Sequence, residues 1–86
     1  MTAKVLAVHV VGTDTAVPTV VEQFLELPRF DAKAVADAYA CYMAAVGHRE
    51  DYADYVLNRE QSLMAETPHR IVIRQRSRVV TYVRLS

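Results

Sequence analysis

His48 and Asp51 stand three residues apart in the segment HREDYADY, a spacing that on a helix sets two potential metal ligands on one face. No third ligand accompanies them, so the pair reads as a cap or a surface hydrogen bond, and no metal site is expected. Cys41, within YACYM, is the single thiol of the chain and has no histidine near it in sequence to activate it. A buried, inert side chain is the expectation there. One cysteine also excludes an internal disulfide and a multi-cysteine metal centre, which fits a reducing compartment and makes the cytoplasm the expected location. His9 lies in an apolar run, where an imidazole is expected to be a satisfied core residue, and His69 opens a later strand-like segment. Gly12 and Gly47 are the only glycines, so no phosphate-cradling loop can be built. A chain of 86 residues leaves little room for a ligand cavity. These residues together predict a protein that is not an enzyme and binds no cofactor.

The arginines are chemically more distinctive. The stretch HRIVIRQRSRVVTYVRLS, residues 69–86, carries Arg70, Arg74, Arg76, Arg78 and Arg84 with no acid, whereas residues 1–68 carry all ten acids against five bases. The net charge of zero therefore hides a balance of −5 in the first part and +5 in the second. Guanidinium groups make bidentate contacts to carboxylate or phosphate and stack on aromatic rings, and Tyr82 is expected among them, with Arg70 across from it. Three uses of such a hairpin compete. It is a solvated face whose charge discourages edge pairing, a contact for nucleic acid with Tyr82 stacking on a base, or a dock for an acidic patch on a protein, a second copy included. Neutral overall charge, a lone aromatic and the lack of an RNA-binding sheet signature or a helix-turn-helix weigh against nucleic acid. A second candidate surface is acidic: Asp51, Asp54 and Tyr55 face outward if Ala53, Val56 and Leu57 face inward.

The elements that must position these residues follow from periodicity and punctuation. After Lys4, VLAVHVVG has the charge and apolar core of a very short secretion signal but lacks a cleavage pattern, and no run reaches membrane-spanning length. It is expected to be a central strand, flanked on both edges or covered on both faces. GTDTAVP marks a loop through Gly12, Asp14 and Pro18. TVVEQFLEL then predicts a short helix, because Thr19 and Glu22 have the spacing of a capping box and Val21, Phe24 and Leu25 share a helical face. Asp31 is placed to cap a second helix over 32–46, with Phe30 and Val35 as a hydrophobic staple and a buried stripe of Val35, Ala38, Tyr39, Tyr42 and Val46. Gly47 would close it. A third helix is expected from Arg49 to about Glu66, ended by Thr67 and Pro68, with acids at its positive end.

RIVIR and RVVTYVRL are rich in β-branched residues and predict two strands joined around Gln75 to Arg78. The register that segregates charge puts Ile71, Ile73, Val79, Thr81, Val83 and Leu85 on one side and Arg70, Val72, Arg74, Val80, Tyr82 and Arg84 on the other. A shift by one residue mixes arginines with apolar residues on both sides, a costlier arrangement, so the segregated register is the expectation. A composition 52% hydrophobic and 23% charged is that of a folded globule. The fold expected is α+β, a single small domain over 1–86 in the order β-α-α-α-β-β, with helices on one face of a three-stranded sheet. The function expected is that of an adaptor, assembly subunit or inhibitor that contacts a protein partner or a second copy of itself, with nucleic-acid binding as the alternative and no membrane contact.

Overall fold

The apolar run VLAVHVV lies inside a sheet, paired along both of its edges. The computed structural model describes residues 2–45, 63–75 and 77–86. Within them the chain forms β1 (Ala3–Val11), β2 (Thr19–Leu27), α1 (Ala32–Ala45), β3 (Leu63–Glu66), β4 (Arg70–Gln75) and β5 (Arg78–Arg84). The five strands build one antiparallel sheet in the order β2-β1-β5-β4-β3. The chain is thus a small α+β domain, as its patterning predicts, but with five strands rather than three and a leading β-β-α. The first strand lies beside the last.

TVVEQFLEL is a strand and not the expected helix. Its Thr-x-x-Glu spacing offers two local hydrogen bonds, while pairing with β1 from Ala3↔Leu27 to Val11↔Thr19 satisfies the backbone groups on the β1 side of this nine-residue edge strand. The ladder outweighs the cap, and the alternation of Gln23, Leu25 and Leu27 with Glu22, Phe24 and Glu26 suits a sheet with two unlike faces. The expected third helix fails at its end, because residues 63–66 are β3. Thr67 does not stop a helix but organises the β3–β4 turn: its hydroxyl accepts from the N–H groups of His69 and Arg70, and its own N–H donates to the Arg70 carbonyl at 2.8 Å. The remainder of that helix, with His48, Asp51, Asp54 and Tyr55, lies outside the described residues, as do Val46 and Gly47.

The segregated hairpin register is also overturned. β4 and β5 are joined through residues 76 and 77, with Gln75 opposite Arg78, so each odd-numbered residue of β4 faces an even-numbered one of β5. Ile71 pairs with Tyr82 and Ile73 with Val80 on one face, and Arg70 pairs with Val83 and Arg74 with Val79 on the other. The physical gain is a face of four large apolar residues turned to the helix, each worth roughly 1.5–3 kcal/mol when buried. Its cost is one arginine, Arg78, turned inward with them.

α1 begins as the sequence predicts. Asp31 Oδ1 accepts the Ala34 N–H at 2.8 Å, the Asp31 carbonyl accepts the Val35 N–H at 3.0 Å, and the cap holds the Asp31 carboxyl below its ordinary value. Glu66, at the end of β3, accepts the Ala32 N–H at 3.2 Å, so a second carboxylate sits at the helix's positive end and ties it to the far edge of the sheet. The helix buries Ala34, Val35, Ala36, Tyr39 and Met43 against Ala3, Val5, Ala7, Leu27, Ile71, Ile73, Val80 and Tyr82. Ala38, Tyr42 and Phe30 pack partly buried at the rim of this cluster. Met43 completes the stripe, whereas Cys41 is exposed rather than buried.

Candidate functional site

Strand alternation gives the sheet two faces of different chemistry. The inner face meets α1 and carries the polar groups Gln75, Arg78 and His9 among its apolar residues. His9 is fully buried, with its ring centroid 4.2 Å from that of Tyr42 and 6.4 Å from that of Tyr82. Among the described residues neither of its ring nitrogens has a hydrogen-bond partner, so it is a core histidine but not the satisfied one expected. Burial holds its pKa below 6.5; the nearby Gln23 amide, without the geometry of a hydrogen bond, opposes the shift and Arg78 adds to it. Beside it, the Tyr39 hydroxyl donates to Gln75 Oε1 at 2.7 Å. Among the described residues no cluster of three or more histidines, cysteines or acids could hold a metal ion.

The outer face has no described element over it and is built in cross-strand rows. Phe24, Leu6, Val83 and Arg70 form one row across β2, β1, β5 and β4. Glu22, Val8, Thr81 and Val72 form the next, and Val20, Val10, Val79 and Arg74 the third. Glu26 and Lys4 pair beyond the first row. The two middle columns are therefore apolar apart from Thr81, and each of their residues is half-buried. Phe24 is 72% exposed and Val20 57%, which is high for large apolar side chains facing water. The β2 column adds the exposed carboxylates Glu22 and Glu26, and the β4 column the exposed guanidinium groups Arg70 and Arg74. Among the described residues no carboxylate lies within ion-pair distance of Arg70 or Arg74.

Of the described arginines in the set read from the sequence, the structure brings Arg70 and Arg74 together on this face. Arg78 is 8% exposed on the inner face, because its partner Gln75 lies there. Tyr82 is 1% exposed, also inward, opposite Ile71 rather than Arg70. Arg84 alternates to the inner side at the end of β5, exposed, with its Nε donating to the Ser86 carbonyl at 2.8 Å. Arg76 lies outside the described residues. The outer face is thus no cationic plane but an apolar strip with an acidic flank and a basic flank. Sequence reasoning missed Phe24, Val20, Glu22 and the even-numbered residues of β1. The available signal was β1 itself, apolar at nearly every position, where a strand with one wet face would alternate.

Comparison with known proteins finds no family model, no curated protein and no solved structure that matches the chain.

Proposed function

We propose that this chain is a non-enzymatic binding protein, an adaptor, assembly subunit or inhibitor, whose working surface is the outer face of the sheet and whose partner is a protein. One observation carries the reading. Leu6, Val8, Val10, Val79 and Val83 form an apolar strip beneath no described element, bordered by exposed Phe24 and Val20 and by charges of opposite sign. An apolar centre with a charged rim is the composition of a protein-binding patch. Nucleic acid suits the face less well, since Glu22 and Glu26 share it with the arginines and Tyr82 is buried on the other side. The reading places the protein in the cytoplasm, on the strength of its single, exposed cysteine. Among the described residues no helix is long and apolar enough to cross a membrane.

The test is a photocrosslinking amino acid placed at Thr81, in the middle of the face, and at Lys33, on the exposed side of α1, in the full chain expressed in its native host. A protein adduct from the Thr81 position and none from the Lys33 position is expected. Adducts from the Lys33 position alone, or none from either, would refute the reading.

A further inference from the structure

The partner of the outer face can be specified further, on the basis of that proposal. We infer that the face is covered by the same face of a second copy, related by a two-fold axis that runs parallel to the strands. Two sheets stack face to face about 10 Å apart. A two-fold axis lying between them has two simple orientations, and the charge columns distinguish the two. An axis running across the strands sets β2 on the partner's β2 and β4 on the partner's β4, so that acids meet acids and arginines meet arginines. An axis parallel to the strands, between β1 and β5, sets β2 over the partner's β4.

In that second arrangement the rows keep their level. Leu6 lies over Val83 of the partner subunit, Val10 over the partner's Val79, and Phe24 over the partner's Arg70, where a guanidinium can stack on the ring. The Glu22 row falls between those of Arg70 and Arg74, each about 6.8 Å away along the strands, so one carboxylate faces two guanidinium groups. Symmetry repeats the contact on the other flank. The roughly 30° turn between aligned sheets displaces the flanking columns by about 4 Å, within the reach of glutamate and arginine side chains. β1 overlaps the partner's β5 over seven residues and β2 the partner's β4 over six, about 20–24 Å of strand across four strands about 19 Å wide, so each copy offers on the order of 420 Å² and the pair about 850 Å², the size of a weak, reversible interface. A dimer of this kind also accounts for the apolar outer side of β1.

The test is the solution mass of the full chain by analytical ultracentrifugation. The expected value is twice the chain mass of 9.7 kDa. Glu22→Arg, and separately the pair Arg70→Glu with Arg74→Glu, are each expected to weaken the dimer on the order of 100-fold, because like charges then oppose on both flanks. An equimolar mixture of the two variants is expected to restore a dimer, since each flank of the mixed species pairs opposite charges again. General damage to the fold would not produce that rescue. A dimer that persists in both variants overturns the inference, as does a mixture that stays monomeric. A monomeric wild-type chain that still gives an adduct from the Thr81 position to a different protein overturns this inference alone and leaves the docking face standing. A monomeric wild-type chain with no such adduct overturns both.

Discussion

Replacing His9 by leucine should make the protein more stable, although it removes a fully buried side chain from the middle of the core. The neutral imidazole carries one donor and one acceptor, and among the described residues neither nitrogen has a partner. Each unpaired group costs about 1–3 kcal/mol on burial. Leucine is of similar volume and carries no polar atom, but it forfeits the ring contact with Tyr42, 4.2 Å away. Such a pair is worth about 0.5–1.5 kcal/mol against about 2–6 kcal/mol for the two unpaired groups together, which leaves a net gain of about 0.5–5 kcal/mol at neutral pH. The pH dependence supplies an independent check. The folded-state pKa of His9 is depressed below 6.5, chiefly by burial. Above that value both states are neutral at this site and its contribution does not change. As the pH falls below 6.5 the unfolded chain takes up a proton that the folded one resists, so stability drops until the pH has passed through the folded-state value. The slope from one such group is at most about 1.4 kcal/mol per pH unit. Urea unfolding of wild type and His9→Leu at about pH 8 and about pH 5.5 measures both effects, since every group common to the two proteins drops out of the difference. The gap between the two proteins should widen at the lower pH. A variant less stable at the higher pH, or a gap independent of pH, would show that His9 is satisfied or solvated and would refute the reasoning.

Two further substitutions probe the frame around the site. Gly12 has a φ of 81°, its N–H donates to the Ser77 carbonyl at 2.8 Å, and an added Cβ would stand 3.1 Å from Thr15 Oγ1. Gly12→Ala should therefore cost about 1–2 kcal/mol in thermal or urea unfolding; a change near zero would mean that the β1–β2 loop has no fixed conformation against the β4–β5 turn. Tyr39→Phe removes a buried 2.7 Å hydrogen bond to Gln75 and should destabilise by about 1–2 kcal/mol without altering the solution mass, since Tyr39 lies on the inner face. Loss of self-association in that variant would contradict the separation of the two faces.

Several features were legible because they are local. The Asp31 cap, the apolar run of β1 and the β-branched segments of β4 and β5 each announce an element through residues adjacent in sequence, and the helix over Ala32–Ala45 matches its predicted start. The charge split between the two parts of the chain is equally a property of the sequence. β2 was misread because its residues satisfy two patterns at once: a helical face through Val21, Phe24 and Leu25, and a strand alternation that only the neighbouring β1 could make decisive. Cys41 was misplaced because it stands two residues from both Tyr39 and Met43, a turn of about 200° that puts it on the solvent side of the helix.

The sequence by itself determined where the chain turns, which segments extend, how α1 begins and how charge is apportioned along the length. Which side each residue faces was decided only by the tertiary structure. In a strand, neighbours point to opposite faces, so a pairing offset by a single position exchanges the two sides. That offset is set by the two-residue connection at 76–77 and by where α1 lies, neither of which is written in any one segment. It sent Tyr82 and Arg78 inward, left Arg70 and Arg74 outside, and aligned them with Phe24, Glu22 and Val20 two strands beyond β5, on a strand distant in sequence.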